Sequence, residues 1–319
     1  MKAKHVIIYL LLVIVTSSCI RDEAPNAEAD ILSCRLPGIT MTTSPIINNN
    51  SVTLFVTPGT NISALAPEFT LTSGATITPA SGTERNFNSP QEYQVTAADG
   101  IWKKTYAISV IDTELATIYN FEDTISGKKY YIFVERENDK VIMEWASGNA
   151  GYAMTGVAKT ADDYPTFQIA NGKNGKCLSL VTRSTGFFGG LVGMPIAAGN
   201  LFIGSFDVNN AMSNPLQATK FGLPFRHVPT YLAGYYKYKA GDQFTEGGKP
   251  VEGKHDICDI YAIMYETSVS VPTLDGTNAF TSPNLVSMAR IKDAKETDEW
   301  TYFKLCLLYT SDAADDRIS

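Results

Sequence analysis

Tyr93-Gln-Val-Thr-Ala-Ala-Asp-Gly100 is followed by Lys104-Thr-Tyr-Ala-Ile-Ser-Val110, and this pair of runs decides the fold. Tyr93 and Val95 alternate with polar residues before Asp99-Gly100, and Tyr106, Ile108 and Val110 alternate after it. A period of two is the mark of a strand with one buried face, and Asp-Gly between two such runs predicts a reversal. The loop here is longer than a two-residue turn. Working outward, Val52, Leu54 and Val56 alternate with Ser51, Thr53 and Phe55, and Phe69 and Leu71 follow the same rule. Pro58-Gly59, Pro79 and Ser81-Gly82 punctuate the intervals. Residues 31–112 therefore read as short strands with regular turns and no helical period, which predicts a β-sandwich. Trp102, at the hairpin tip, is expected to pack locally.

Composition agrees with a globular chain. Of 319 residues, 44% are hydrophobic and 18% charged, with a net charge of -7. That length suggests about two domains. The low charge and ordinary Gly and Pro content exclude disordered, collagen-like and coiled-coil chains. An acidic chain without a basic run gives no reason to expect nucleic acid as a partner, because such binding needs clustered Lys and Arg.

Residues 113–305 are again strand-rich. Candidate strands are 130–135, 140–145, 177–182, 201–206, 231–238, 257–266, 285–291 and 300–305, separated by Gly, Asn and Pro loops. The 256–266 run is apolar on both faces and reads as a central strand. The fold class expected is all-β: an Ig-like β-sandwich followed by a jelly-roll-like β-sandwich.

The ends have their own signatures. Lys2 and Lys4 precede an apolar stretch over 6–15, then Thr16-Ser-Ser-Cys19. Residues 1–18 resemble a lipoprotein signal peptide, with Cys19 as the lipidated first residue of the mature chain, although Leu is absent three residues before it. Ile20-Arg-Asp-Glu23 is similar to the signal that sends Bacteroidetes lipoproteins to the outer face of the outer membrane. Residues 19–30 are expected to be a tether. The run from Cys306 to Asp316 reads as an in-frame translation of a transposon-type sequencing adapter. On that reading 306–319 is an artefact and the last domain is incomplete.

Cys34 alternates with Leu32 and Leu36, and Cys258 with Ile260 and Met264, so both read as small buried hydrophobes. A Cys177–Cys258 disulfide is conceivable. His227 and His255 read as polar loop residues. Structural calcium is conceivable from the Asp- and Asn-rich loops, but no DxDxDG-type loop supports it and no cofactor is expected.

A family resemblance rests on several segments. Gly74-Ala-Thr-Ile-Thr-Pro-Ala-Ser-Gly-Thr83 and the two opening runs resemble the Ig-like modules behind the lipid anchor of surface lipoproteins. Trp145-Ala-Ser-Gly-Asn-Ala-Gly-Tyr152, Ala198-Gly-Asn-Leu-Phe-Ile-Gly-Ser-Phe206, Pro215-Leu-Gln-Ala-Thr-Lys-Phe-Gly-Leu-Pro-Phe225, Leu232-Ala-Gly-Tyr-Tyr-Lys-Tyr-Lys239 and Asp256-Ile-Cys-Asp-Ile-Tyr-Ala-Ile-Met-Tyr265 resemble the PCMD family, the "putative carbohydrate metabolism domain" of Bacteroidetes surface lipoproteins. The resemblance implies a link to glycans and no particular reaction.

Sugar sites combine aromatic rings with planar polar groups. The candidates are Trp145, Asn149 and Tyr152 at a Gly-rich junction, Arg226 as a fork for hydroxyls or a carboxylate, Tyr236 and Tyr238 on one strand face, and Asp259 and Tyr261 on another. Tyr235 and Lys237 occupy the face opposite Tyr236. No residue is assigned a catalytic role. Asp256 and Asp259, three apart on a strand, point to opposite faces and cannot flank one bond. Glu122, Asp123 and Glu144 are further carboxylates without a visible partner. The function expected is a non-catalytic, surface-anchored glycan-binding lipoprotein that meets the membrane only through its lipid. A glycan-processing enzyme and a structural or adhesive surface subunit are the alternatives.

Overall fold

The computed structural model describes residues 26–268 and 270–309. Cys19, the signal segment and residues 310–319 lie outside the described residues. The chain is all-β; among the described residues the helices are only a few residues long and no closed barrel forms.

The N-terminal module has seven strands: β1 (Ile31–Arg35), β2 (Ile46–Ile47), β3 (Ser51–Phe55), β4 (Glu68–Leu71), β5 (Thr76–Thr78), β6 (Gln91–Thr96) and β7 (Lys103–Ile111). β1 pairs with β4, and the others form a five-stranded sheet in the order β2-β3-β7-β6-β5. Val52, Leu54, Tyr93, Val95, Tyr106, Ile108 and Val110 fill one core with Ile31 and Cys34 from the second sheet. These are the alternating residues of the sequence, so the period-two reading holds. The β3–β7 pairing is parallel, with Ser51 opposite Ala107 and Phe55 opposite Ile111.

Three expectations for this module change. A register shift between Ile31 and Ser33 reverses the phase of β1. Ile31, Cys34 and Leu36 therefore point inward, and Leu32 is exposed. Trp102 does not pack: it is 63% exposed beside Ile101, its N–H held with that of Ile101 by the Asp99 carboxylate. The tether ends earlier than expected. Ala29 is buried, and the Asp30 carboxylate accepts hydrogen bonds from Lys104 Nζ (2.5 Å) and the Tyr106 hydroxyl (2.9 Å).

The second region is a jelly-roll-like set of short antiparallel strands. Val134–Glu137 pairs with Lys140–Glu144, and Thr166–Ile169 with Cys177–Leu180. Gly204–Phe206, Thr219–Phe221 and Leu274–Asp275 make a three-stranded sheet. Tyr261–Tyr265, Leu285–Arg290 and Leu308–Tyr309 make another. Tyr231–Tyr238 pairs with Thr297–Cys306. Aromatic rings fill the interior between them: Phe221 meets Phe202 at 5.3 Å and Tyr261 at 6.3 Å.

The 256–266 run is not a central strand. Only Tyr261–Tyr265 is extended, it lies at one edge of its sheet, and all five residues are half-buried. Apolar character on both faces reports packing on both sides, which an edge strand can also have. Cys177 and Cys258 are free thiols, so the conceivable disulfide is not formed, and Cys258 is only partly buried.

Candidate functional site

The residues proposed from sequence do not converge on one place. Trp145 stands in an aromatic group, its ring 5.0 Å from Tyr119 and 5.5 Å from Phe121, and its indole N–H donates to Glu135 Oε1 (2.8 Å). Asn149 is wholly buried; its Nδ2 donates to the Thr166 carbonyl (2.7 Å) and its Oδ1 accepts from the Thr166 N–H (3.1 Å). Tyr152 is buried against Tyr164 and donates to the Ser184 carbonyl (2.9 Å). Both hold the backbone together and offer no polar atom to a ligand.

Tyr236 and Tyr238 face inward. The Tyr236 hydroxyl exchanges hydrogen bonds with the backbone of Lys295, and burial beside Asp256 pushes the Tyr238 hydroxyl up to about 12. Asp259 and Tyr261 do come together. Arg290 forks onto both Asp259 oxygens (3.0 and 2.8 Å), its guanidinium lies 4.1 Å from the Phe280 centroid, and Phe280 meets Tyr261 edge-on at 4.9 Å. With both carboxylate oxygens engaged, Asp259 reads as a positioning group.

Arg226 is exposed and lines a cleft of about 260 Å³ with Phe225, His227, Met264 and Tyr265. His227 Nε2 lies 3.1 Å from Glu114 Oε2, joining this segment to the linker after β7. Of the remaining carboxylates, Glu122 accepts from the Lys176 N–H (2.9 Å), while Asp123 and Glu144 are exposed. Glu135 is held above the usual carboxylate range by burial, against the hydrogen bond from Trp145, with Asp123 adding to the rise. Among the described residues, no three His, Cys, Asp or Glu side chains group closely enough to hold a metal.

An exposed strip of aromatic rings lies on the opposite face of the strand that carries Tyr236. In the ribbon of Tyr231–Tyr238 and Thr297–Cys306, Tyr235 stands opposite Tyr302, Ala233 opposite Lys304 and Tyr231 opposite Cys306. Cross-strand partners share a face. Leu232, Gly234, Phe303 and Leu305 turn inward, and a Cβ at Gly234 would meet the Phe303 ring at 3.0 Å. Tyr231, Tyr235 and Tyr302 turn outward and are 51%, 48% and 54% exposed. Tyr235 and Tyr302 lie 5.3 Å apart at a tilt of 55°. Trp300 extends the strip on the side where the register shifts after Tyr236.

Three lysines lie over these rings: Lys173 Nζ is 4.2 Å from the Tyr235 centroid, Lys304 Nζ 4.2 Å from Tyr231, and Lys237 Nζ 5.4 Å from Trp300. Lys173 comes from a tight loop tied to residues 121–122. Gln168 Nε2 donates to the carbonyls of Phe121 and Glu122, and Gly172 N–H bonds to the Gly175 carbonyl. Gly175 has φ +69°, and a Cβ there would fall 2.2 Å from Glu122 Oε1. The sequence carried the signal for this face. Lys237 and Lys304 sit at alternate positions with the tyrosines, and lysine marks the solvent side of a strand.

Comparison with known proteins follows the same division of the chain. Residues 120–317 match the family described as "Putative carbohydrate metabolism domain", PCMD, and residues 31–110 match "SGBP, N-terminal". The chain belongs to the PCMD family, the one its sequence resembles. The crystal structure of a putative glycoside hydrolase from Bacteroides thetaiotaomicron is 84% identical, covering 91% of this chain and 85% of that one, with a TM-score of 0.87. A second putative glycoside hydrolase, from Bacteroides vulgatus, is 48% identical over 60% of this chain and 78% of its own, with a TM-score of 0.56. No curated protein matches. At this coarse level the chain has a glycan-related role.

Proposed function

We propose that the protein binds a polysaccharide at the cell surface, with the chain of sugars lying along Tyr231, Tyr235, Tyr302 and Trp300. The observation that carries this reading is the outward Tyr235–Tyr302 pair, directly cross-strand and half-exposed on both sides. Outward aromatic rings on a rigid ribbon present large apolar area at low entropic cost, and hydroxyls at their rims supply hydrogen bonds. The SGBP match in the N-terminal module supports a surface setting. Affinity electrophoresis of the full chain against a polysaccharide panel tests it. Retention that is lost in Tyr235→Ala and Tyr302→Ala supports the platform; retention unchanged in both would sink it.

Lipid attachment at Cys19 belongs to the same proposal. Cys19→Ala should move the protein from the membrane fraction to the soluble fraction, and persistent attachment would refute it.

A catalytic reading has one observation in its favour. Glu135 is a part-buried carboxyl, raised by burial, gripped by Trp145 and influenced by Asp123, beside the Tyr119 and Phe121 rings. Perturbed carboxyls next to aromatic surface are what glycoside hydrolysis uses, and both relatives are described as putative glycoside hydrolases. Release of reducing ends that disappears in Glu135→Gln would establish this reading. Retention of polysaccharide without such release favours binding alone.

A further inference from the structure

Resting on the reading that a glycan lies on the tyrosine ribbon, we infer that this face selects anionic polysaccharides, carrying carboxylate or sulfate groups, over neutral ones. The chain as a whole is acidic, at -7. Yet Lys173, Lys237 and Lys304 gather over the rings of Tyr235, Trp300 and Tyr231, at 4.2, 5.4 and 4.2 Å. None of the three lies within salt-bridge distance of a described carboxylate, whereas seven other Lys and Arg side chains do. Within the two paired strands the acidic residues are Asp298 and Glu299, exposed at the end of the ribbon where the register shifts, and the Glu122 carboxylate beside the Lys173 loop is engaged by the Lys176 N–H. The unpaired positive charge is therefore concentrated toward Tyr231 and Tyr235.

Each ammonium covers the ring surface that a sugar would use. A neutral sugar must displace it and gains nothing for the lost cation–π contact. An anionic sugar draws the ammonium aside into a charge-assisted hydrogen bond and uncovers the ring in the same movement. Tyr231 and Tyr235 are four residues apart on one strand, about 13 Å. Lys304, opposite Ala233, and Lys173, over Tyr235, thus place cations along the length of the platform and not at a single point. The Debye length at physiological salt is about 8 Å, so these local charges outweigh the distant net negative charge.

Isothermal titration of the full chain decides the matter, using a neutral β-glucan, polygalacturonate and dextran sulfate of matched length at 50 and 200 mM NaCl. The expected result is at least about tenfold tighter binding of one or both polyanions at 50 mM, weakening steeply at 200 mM. Whether polygalacturonate or dextran sulfate binds better identifies the anion. The Lys173→Gln/Lys304→Gln variant should lose about tenfold for the polyanion, bind the neutral chain at least as tightly as wild type because the rings are uncovered, and melt at the wild-type temperature. Equal affinity for the neutral and anionic chains, or a double variant that binds polyanions like wild type, would overturn the inference and leave the platform reading intact. Polyanion binding that survives Tyr235→Ala/Tyr302→Ala would place the anion elsewhere and overturn both. Binding of none of the three glycans would also overturn both.

Discussion

Asn149 and Thr166 are joined by two hydrogen bonds in opposite directions, amide to carbonyl at 2.7 Å and backbone N–H to amide oxygen at 3.1 Å, with no solvent reaching Asn149. The pair clamps the short helix Asn149–Tyr152 to the strand Thr166–Ile169. Asn149→Leu removes both bonds and leaves the Thr166 N–H and C=O buried without partners. The cost should be about 2–4 kcal/mol, read by urea denaturation, because each orphaned buried group costs about 1–3 kcal/mol. Glycan affinity of the folded fraction should not change. A loss of affinity without a loss of stability would return Asn149 to the binding site.

Cys34 and Cys306 should separate cleanly by reactivity. Burial pushes the Cys34 thiol up to about 12, and Cys306 is exposed on the ribbon. At pH 8 only about one Cys34 in ten thousand is thiolate. A maleimide reagent should label Cys306 in the native protein and Cys34 only after denaturant is added. Rapid native labelling of Cys34 would show that the first module opens readily.

Asp30 makes the first module acid-sensitive. The hydrogen bond from Lys104 lowers its carboxyl below the ordinary 3.8, against the opposing effect of burial and with help from Tyr106. A lowered carboxyl contributes stability that is present above the unfolded value and is lost as pH falls through the folded value. Asp30→Asn should therefore cost about 0.5–1 kcal/mol at pH 7, a magnitude suited to a partly solvated pair. The difference in melting temperature from wild type should shrink as pH falls below 3.8 and through the folded value. A difference that persists there would point to packing and not to charge.

Gly175→Ala probes the loop that carries Lys173. The substitution meets both a left-handed backbone and the Glu122 carboxylate. Glu122 would have to release the Lys176 N–H. The backbone penalty alone is about 1–2 kcal/mol, visible in thermal melts, and Lys173 should shift from the Tyr235 ring. Wild-type stability would show that the loop has another conformation of equal energy.

The first module was legible in its sequence because one buried face imposes a strict period of two. Even there, a single register shift in β1 exchanged Leu32 for Ile31 on the inside, and no periodicity signals a bulge. The second region was legible as strands, and Tyr231–Tyr238 coincides with its expected bounds. Which of its faces looked outward was not read correctly, although Lys237 and Lys304 marked it. Tyr236 carries a hydroxyl that suits either a rim or a backbone partner 59 residues away at Lys295, and only the fold decides between these. Asn149 is the same case, since a buried amide clamp and a sugar-binding amide are the same residue in sequence. Nothing local predicted that Lys173 would reach Tyr235 from another hairpin.

The parallel pairing of β3 with β7 also has a mechanical side. The chain enters the first module at Asp30, beside Lys104 and Tyr106 near the start of β7, and leaves it at the far end of that strand, where Gly59 N–H grips the Asp112 carbonyl. Entry and exit are separated by about 23 Å along β7. A pull between the two ends, such as drag from a long polymer, acts along β7. At the exit it loads the hydrogen bonds of β7 to β3 and β6 together, in shear, and at the entry it acts on β1, which is held by β4. Tension at the exit is thus carried lengthwise by β7 and shared between its two neighbours.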